Sequence, residues 1–192
     1  RAVIDSSHKG HPRLMKTALL VVDVQTGLCT GEWAAFEIDA VIGRINGAIA
    51  QARAAQALVV FIQHEEVAGP LQFGSEDWQL DARLQVRPDD PRVRKTVSNA
   101  FHHTGLLALL QQNAVQQLVV CGLQSEFCVD STVRGALAQG FAVTLLSDAH
   151  STVANGVLTA AQITAHHNAT LANLGGYGVA VTLARAADAP WS

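Results

Sequence analysis

Short, almost wholly apolar runs recur along this chain at 18–22 (ALLVV), 58–63 (LVVFIQ), 117–121 (QLVVC), 141–147 (FAVTLLS) and 178–183 (GVAVTL). They constrain the fold more than any other feature. Each is too short to be a buried helix, and each is rich in β-branched residues, so each reads as a strand covered on both faces. Helix-patterned stretches lie between them at 39–56, 104–113, 126–139 and 155–173. In the first, Val41, Ile45, Ala48 and Ile49 form the inner face; Thr104 is positioned to cap the second. A shorter β-prone run covers 91–95. Alternation of strand and helix is the pattern of a parallel α/β sheet, and no internal repeat or linker interrupts it. One doubly wound domain is expected. The stretch 64–90 is long for a connection and holds Gly69-Pro70, Gly74-Ser75 and Pro88-Asp89, so a functional or oligomer-contact role is expected for it.

Three side chains stand where such a fold places chemistry. Asp23 ends the first strand in LLVVDVQ, and ligands of open parallel sheets bind beyond the carboxyl ends of strands. Lys95 ends the third strand in VRKTVSNAF. Cys128 follows the fourth strand, in CGLQSEFCVDSTVRGAL, where a turn becomes a helix. Unpaired amides and the helix dipole at such a start favour a thiolate, which is the nucleophilic form. Each residue also has an ordinary reading: Asp23 as a capping or turn residue, Lys95 as a solvated lysine, Cys128 as a small buried hydrophobe.

The order and local context of these three motifs resemble the isochorismatase-like cysteine hydrolases, a family that includes nicotinamidases and carbamoylsarcosine amidases. The resemblance spans about residues 16–183. It implies a mainly parallel six-stranded sheet in the order 3-2-1-4-5-6 with helices on both faces. It maps the family's Asp, Lys and Cys onto Asp23, Lys95 and Cys128. It also implies a cis peptide at Leu123–Gln124, beside backbone N–H groups of Gln124 and Cys128 that would serve as an oxyanion hole. The implied chemistry is cleavage of a C–N bond in a small amide, ureide or lactam through a thioester. Two alternatives stand beside it: vinyl-ether hydrolysis, which relatives perform without a required cysteine, and a non-catalytic binding or scaffold role. A dehydrogenase is excluded, because DVQTGLC follows the first strand in place of a glycine-rich turn.

Gln25, Trp33, His64, Phe101 and Phe127 are candidates for the substrate pocket, with core packing as the alternative. Nicotinamidases of the family carry an Asp/His metal cluster after strand two. Here the segment reads QHEEVAGP, without the Asp-x-His spacing, so neither a metal nor another cofactor is expected. The adjacent pairs His102-His103 and His166-His167 do not share a helix face and read as surface or interface residues. Gly175-Gly176-Tyr177-Gly178 precedes a strand and reads as a helix stop, and Asp148 as a turn residue after strand five.

Composition agrees. At 192 residues with 49% hydrophobic and 15% charged, the chain suits one domain with a sizeable core. A formal charge of −3 and no Lys/Arg-rich block argue against nucleic acid or an anionic membrane surface as partner. The expected partners are a small-molecule substrate and further copies of the chain, as a homodimer or homotetramer. With three cysteines oddly spaced for a disulfide framework, and no apolar signal-peptide core, a cytoplasmic location is expected. Residues 1–14 read as a leader or N-terminal extension ahead of Met15, with the hydrolase domain over 15–192.

Overall fold

The computed structural model describes residues 16–191; the expected leader at 1–14 and the start at Met15 lie outside them. The strands are β1 (Thr17–Val22), β2 (Leu58–His64), β3 (Arg92–Lys95), β4 (Gln117–Leu123), β5 (Ala142–Ser151) and β6 (Val181–Ala184). They form one parallel sheet in the order β3-β2-β1-β4-β5-β6. The helices are α1 (Thr26–Cys29), α2 (Ile38–Ala54), α3 (Leu106–Gln112), α4 (Asp130–Ala138) and α5 (Ala160–Ala172). None of the helices among the described residues is long and apolar enough to cross a membrane.

β1 shows why an unbroken apolar run was needed. All six residues are buried, and they alternate between two cores. Ala18, Leu20 and Val22 face one core with α3 and α4, through Leu106, Leu110, Val133 and Leu137. Leu19 and Val21 face the other with α2, through Val41, Ile45, Ala48 and Ile49. Each fully buried Leu, Ile or Val contributes about 1.5–3 kcal/mol. The two faces together seat β1 between β2 and β4, which puts its carboxyl end, Asp23, at the centre of the sheet's upper edge.

Several boundaries differ from the sequence reading. β4 runs on to Leu123, and α5 starts at Ala160, after a capping box between Thr159 and Gln162. α3 starts at Leu106; the Thr104 hydroxyl accepts from the Leu106 N–H. The largest correction is β5, which continues to Ser151. Its register against β4 shifts: Val120 pairs with Leu145, but Gly122 pairs with His150. The bulge breaks the alternation at Asp148 and hides the continuation. Asp148 therefore lies within a strand, where its carboxylate accepts from the Ala186 N–H and meets Arg185. Gly122 passes close against the backbone of β1. Its φ is +118°, and a Cβ there would stand 2.1 Å from the Val22 carbonyl oxygen.

The stretch 64–90 holds no helix or long strand, yet it is tied down. Gln25 and Gln63 both donate from Nε2 to the Trp78 carbonyl, Gln25 bridges to Leu80, and Arg83 forms a paired contact with Asp81. Arg94 packs 3.8 Å over the Phe73 ring and pairs with Glu65.

Candidate active site

Asp23, Lys95 and Cys128 converge at the carboxyl ends of β1, β3 and β4. Asp23 has left-handed backbone, φ +49°, a conformation Asp tolerates better than most side chains, and its N–H donates to the Ile62 carbonyl. Lys95 ends β3, opposite His64 on β2. The loop after Lys95 is anchored to α4: the Ala100 N–H donates to the Thr132 hydroxyl, and Asn99 lies so close to Gly135 that a Cβ there would meet Asn99 Oδ1 at 2.4 Å. That contact holds the lysine segment against the helix that follows Cys128.

Cys128 sits in a π-helical turn, Ser125–Val129, that runs directly into α4. Single π turns inside helices are often found at functional sites. The Phe127 and Val129 N–H groups both donate to the Gln124 carbonyl, and the peptide Leu123–Gln124 is cis.

The Lys95 ammonium has three protons and meets three acceptors. Asp23 Oδ2 lies 2.6 Å away, Cys128 Sγ 3.1 Å and His64 Nδ1 3.2 Å. The Lys95 and Asp23 side chains are sealed from solvent. The second carboxylate oxygen, Asp23 Oδ1, is buried without a hydrogen-bond partner. The same carboxylate bears on the Cys128 thiol, and a carboxylate beside a thiol can accept its proton.

The surroundings of the thiol pull in two directions. Burial and the Asp23 carboxylate push Cys128 up to about 12, against the opposing pull of Lys95. Burial and the carboxylate thus act against the helix start and the lysine. Burial raises Cys29 and Cys121 as well. His64 is lowered from its ordinary value by burial and then by Lys95.

Among the described residues, the His, Cys and carboxylate groups close enough to share a metal ion are Asp23, His64 and Cys128, whose ligand atoms lie within 4.8 Å of one another. They do not fit one. The Lys95 ammonium already lies within hydrogen-bond distance of all three, so a dication would have to displace a buried cation that occupies its donors.

The pocket candidates separate. Gln25 is fully buried, and its amide is spent on backbone: Nε2 donates to the His64 and Trp78 carbonyls, and Oε1 accepts from the His64 N–H. It braces the end of β2. Phe101 stacks on Phe141 against the core. His64 reaches the lysine. Phe127, next to Cys128, is 55% exposed. Trp33 lines a cavity of about 680 Å³ with Phe36, Val153, Ala154 and Thr159. The residue before Val153, Thr152, donates its hydroxyl to Glu126, two positions from Cys128.

His102 and His103 are exposed in a turn, and His167 of α5 lies half-buried against Asp130 of α4. The sequence carried no signal for His150 and Asn168. Both belong to the polar group around Ser125, and the β5 bulge that brings His150 there has no periodic signature.

Comparison with known proteins adds to this geometry. Residues 17–185 match the model of the isochorismatase domain. A streptothricin hydrolase of Streptomyces noursei is 43% identical over 136 residues, an alignment covering 70% of this chain and 49% of that protein. The chain thus spans about half the length of that relative. The ureidoacrylate amidohydrolase RutB of Variovorax paradoxus (strain S110) is 29% identical over 170 residues, covering 69% of this chain and 68% of that protein. A solved structure described as an isochorismatase family protein superposes with a TM-score of 0.81 at 40% identity, covering 88% of this chain and 97% of that one.

Proposed function

The chain belongs to the isochorismatase family, and from that premise we propose that it is a cysteine-dependent hydrolase cleaving a C–N bond in a small amide, ureide or lactam. The observation that carries the reading is the single ammonium of Lys95 in contact with both Asp23 and Cys128, with the Asp23 carboxylate bearing on the thiol too. A base, a cation and a thiol joined in this way form the unit a nucleophilic cysteine needs. The relatives named streptothricin hydrolase and ureidoacrylate amidohydrolase support a C–N bond as the target.

The steps follow from the side chains. Asp23 takes the thiol proton as substrate arrives, and Lys95 holds the thiolate that forms. The sulfur attacks the carbonyl carbon, and the carbonyl π electrons move to oxygen. The N–H groups of Gln124 and Cys128 are the donors for that oxyanion. The adduct collapses, the C–N bond breaks, and protonated Asp23 returns its proton to the leaving nitrogen. Asp23 then removes a proton from water, whose oxygen attacks the thioester. The C–S bond breaks, the acid leaves, and the proton returns to sulfur.

Small amides, ureides and lactams should be tested for ammonia or amine release, with intact mass of the enzyme followed during turnover. An acyl adduct on Cys128, and loss of activity in a folded Cys128→Ala variant, are expected. Near-normal turnover by Cys128→Ala would overturn the covalent route and favour vinyl-ether hydrolysis.

A further inference from the structure

A second polar cluster touches the Cys128 turn from below, through Ser125, the first residue of that turn. Ser125 Oγ lies 2.8 Å from His150 Nδ1 and 3.2 Å from Thr164 Oγ1. His150 Nε2 lies 3.0 Å from Asn168 Oδ1, and Asn168 Nδ2 donates to the Ser147 carbonyl. Ser125 and His150 are buried.

These contacts set the direction of every proton. A carbonyl can only accept, so the Asn168 amide nitrogen faces Ser147 and its oxygen faces His150. An acceptor oxygen at Nε2 requires the proton to be on Nε2. A neutral imidazole then carries its lone pair on Nδ1. The Ser125 hydroxyl must therefore donate to Nδ1, and its own lone pairs are left for the Thr164 hydroxyl. Burial favours the neutral ring, lowering His150 to about 4.

We propose that His150 is a positioning residue for the Cys128 turn: as the Nε2–H tautomer set by Asn168, it accepts the Ser125 hydroxyl and fixes the turn that presents the thiol. The cluster ties three elements together. The irregular part of β5 brings His150 opposite Gly122, α5 supplies Asn168 and Thr164, and the turn supplies Ser125. An apolar filling of the same space would pack but would not set the turn's orientation, because dispersion contacts are not directional. The consequence for catalysis rests on the cysteine-hydrolase reading; the hydrogen bonds do not.

Two measurements on the full chain test the proposal. Long-range proton–nitrogen spectra of histidine-labelled protein at pH 7, assigned to His150 through its backbone, should show a protonated Nε2 and an unprotonated Nδ1. An Nδ1–H tautomer or an imidazolium overturns it. The second is the rate of Cys128 carboxymethylation, which needs no substrate. Removing one buried hydrogen bond should slow it about tenfold in Ser125→Ala and in His150→Ala, while His150→Asn, whose Oδ1 can replace Nδ1 as acceptor, stays within about twofold. Once a substrate is known, kcat should follow the same order with KM nearly constant. Equal rates in all folded variants, or equal loss in His150→Asn and His150→Ala, overturn the positioning role. Retained turnover in Cys128→Ala would instead sink the thioester reading and leave the tautomer and labelling results to decide His150 separately.

Discussion

Lys95 Nζ lies 2.6 Å from Asp23 Oδ2, with both side chains sealed from solvent. Taking two charges out of water costs several kcal/mol each, which their attraction offsets only when the remaining protons and lone pairs are also used. Here the ammonium uses all three protons, and the carboxylate bears on the Cys128 thiol as well as on the lysine.

Breaking the pair on one side should therefore destabilise the fold as well as the chemistry. Lys95→Met and Asp23→Asn should each lower unfolding free energy by about 3–5 kcal/mol, and the double variant by less than their sum. Urea unfolding checks this. Single variants within about 1 kcal/mol of the parent would mean the pair behaves like an exposed one.

Alkylation should distinguish the cysteines by access and by pH. Cys29 and Cys121 are buried and Cys128 is half-buried, so brief iodoacetamide treatment of native protein should label Cys128 alone. The thiol is raised to about 12, and the thiolate is the reactive form. Labelling should therefore climb about tenfold per pH unit from neutral into the alkaline range. Peptide mapping at pH 7 and 9 decides it. Equal labelling of the three, or a rate already level at pH 7, contradicts the raised thiol.

Acid should weaken the fold through His150. Its folded value of about 4 lies below the ordinary 6.5, so the unfolded chain takes up a proton that the folded chain refuses. Stability is unaffected above pH 6.5, falls by up to about 1.4 kcal/mol per unit between about 6.5 and 4, and levels below that. His64 is shifted in the same direction, so the comparison is with His150→Asn. Denaturant midpoints at pH 7, 5.5 and 4.5 should fall less steeply in that variant; parallel curves would remove His150 as the cause.

Assembly should exceed one chain. Trp33, Phe36 and Val157 are exposed apolar side chains, and the first two line the cavity of about 680 Å³. Exposed apolar surface of this kind favours association. Light scattering should give the mass of a homodimer or homotetramer, and a monomer at micromolar concentration would refute it.

How much was legible beforehand varied by residue. Asp23 stood at the end of ALLVV because a doubly buried strand must be continuously apolar, and the first charged residue marks its end. Lys95 and Cys128 were legible through their motifs. The α2 face was legible because Val41, Ile45, Ala48 and Ile49 keep helical spacing, and all four are buried. β5 was cut short because the bulge opposite Gly122 breaks the period that would have carried it to Ser151.

The sequence alone determined the strand and helix alternation, the family pattern and which three side chains stand at the strand ends, because each is written in local order and spacing. Tertiary structure alone decided how those groups act on one another. Burial and Asp23 raise the Cys128 thiol, against the lysine and the helix start beside it. Three acceptors from separate strands and a turn saturate Lys95 where a metal could otherwise have been imagined. Gln25 turns its amide to the backbone, away from any ligand. Burial and charge coupling depend on distances between segments far apart in the chain, and no local pattern encodes those distances.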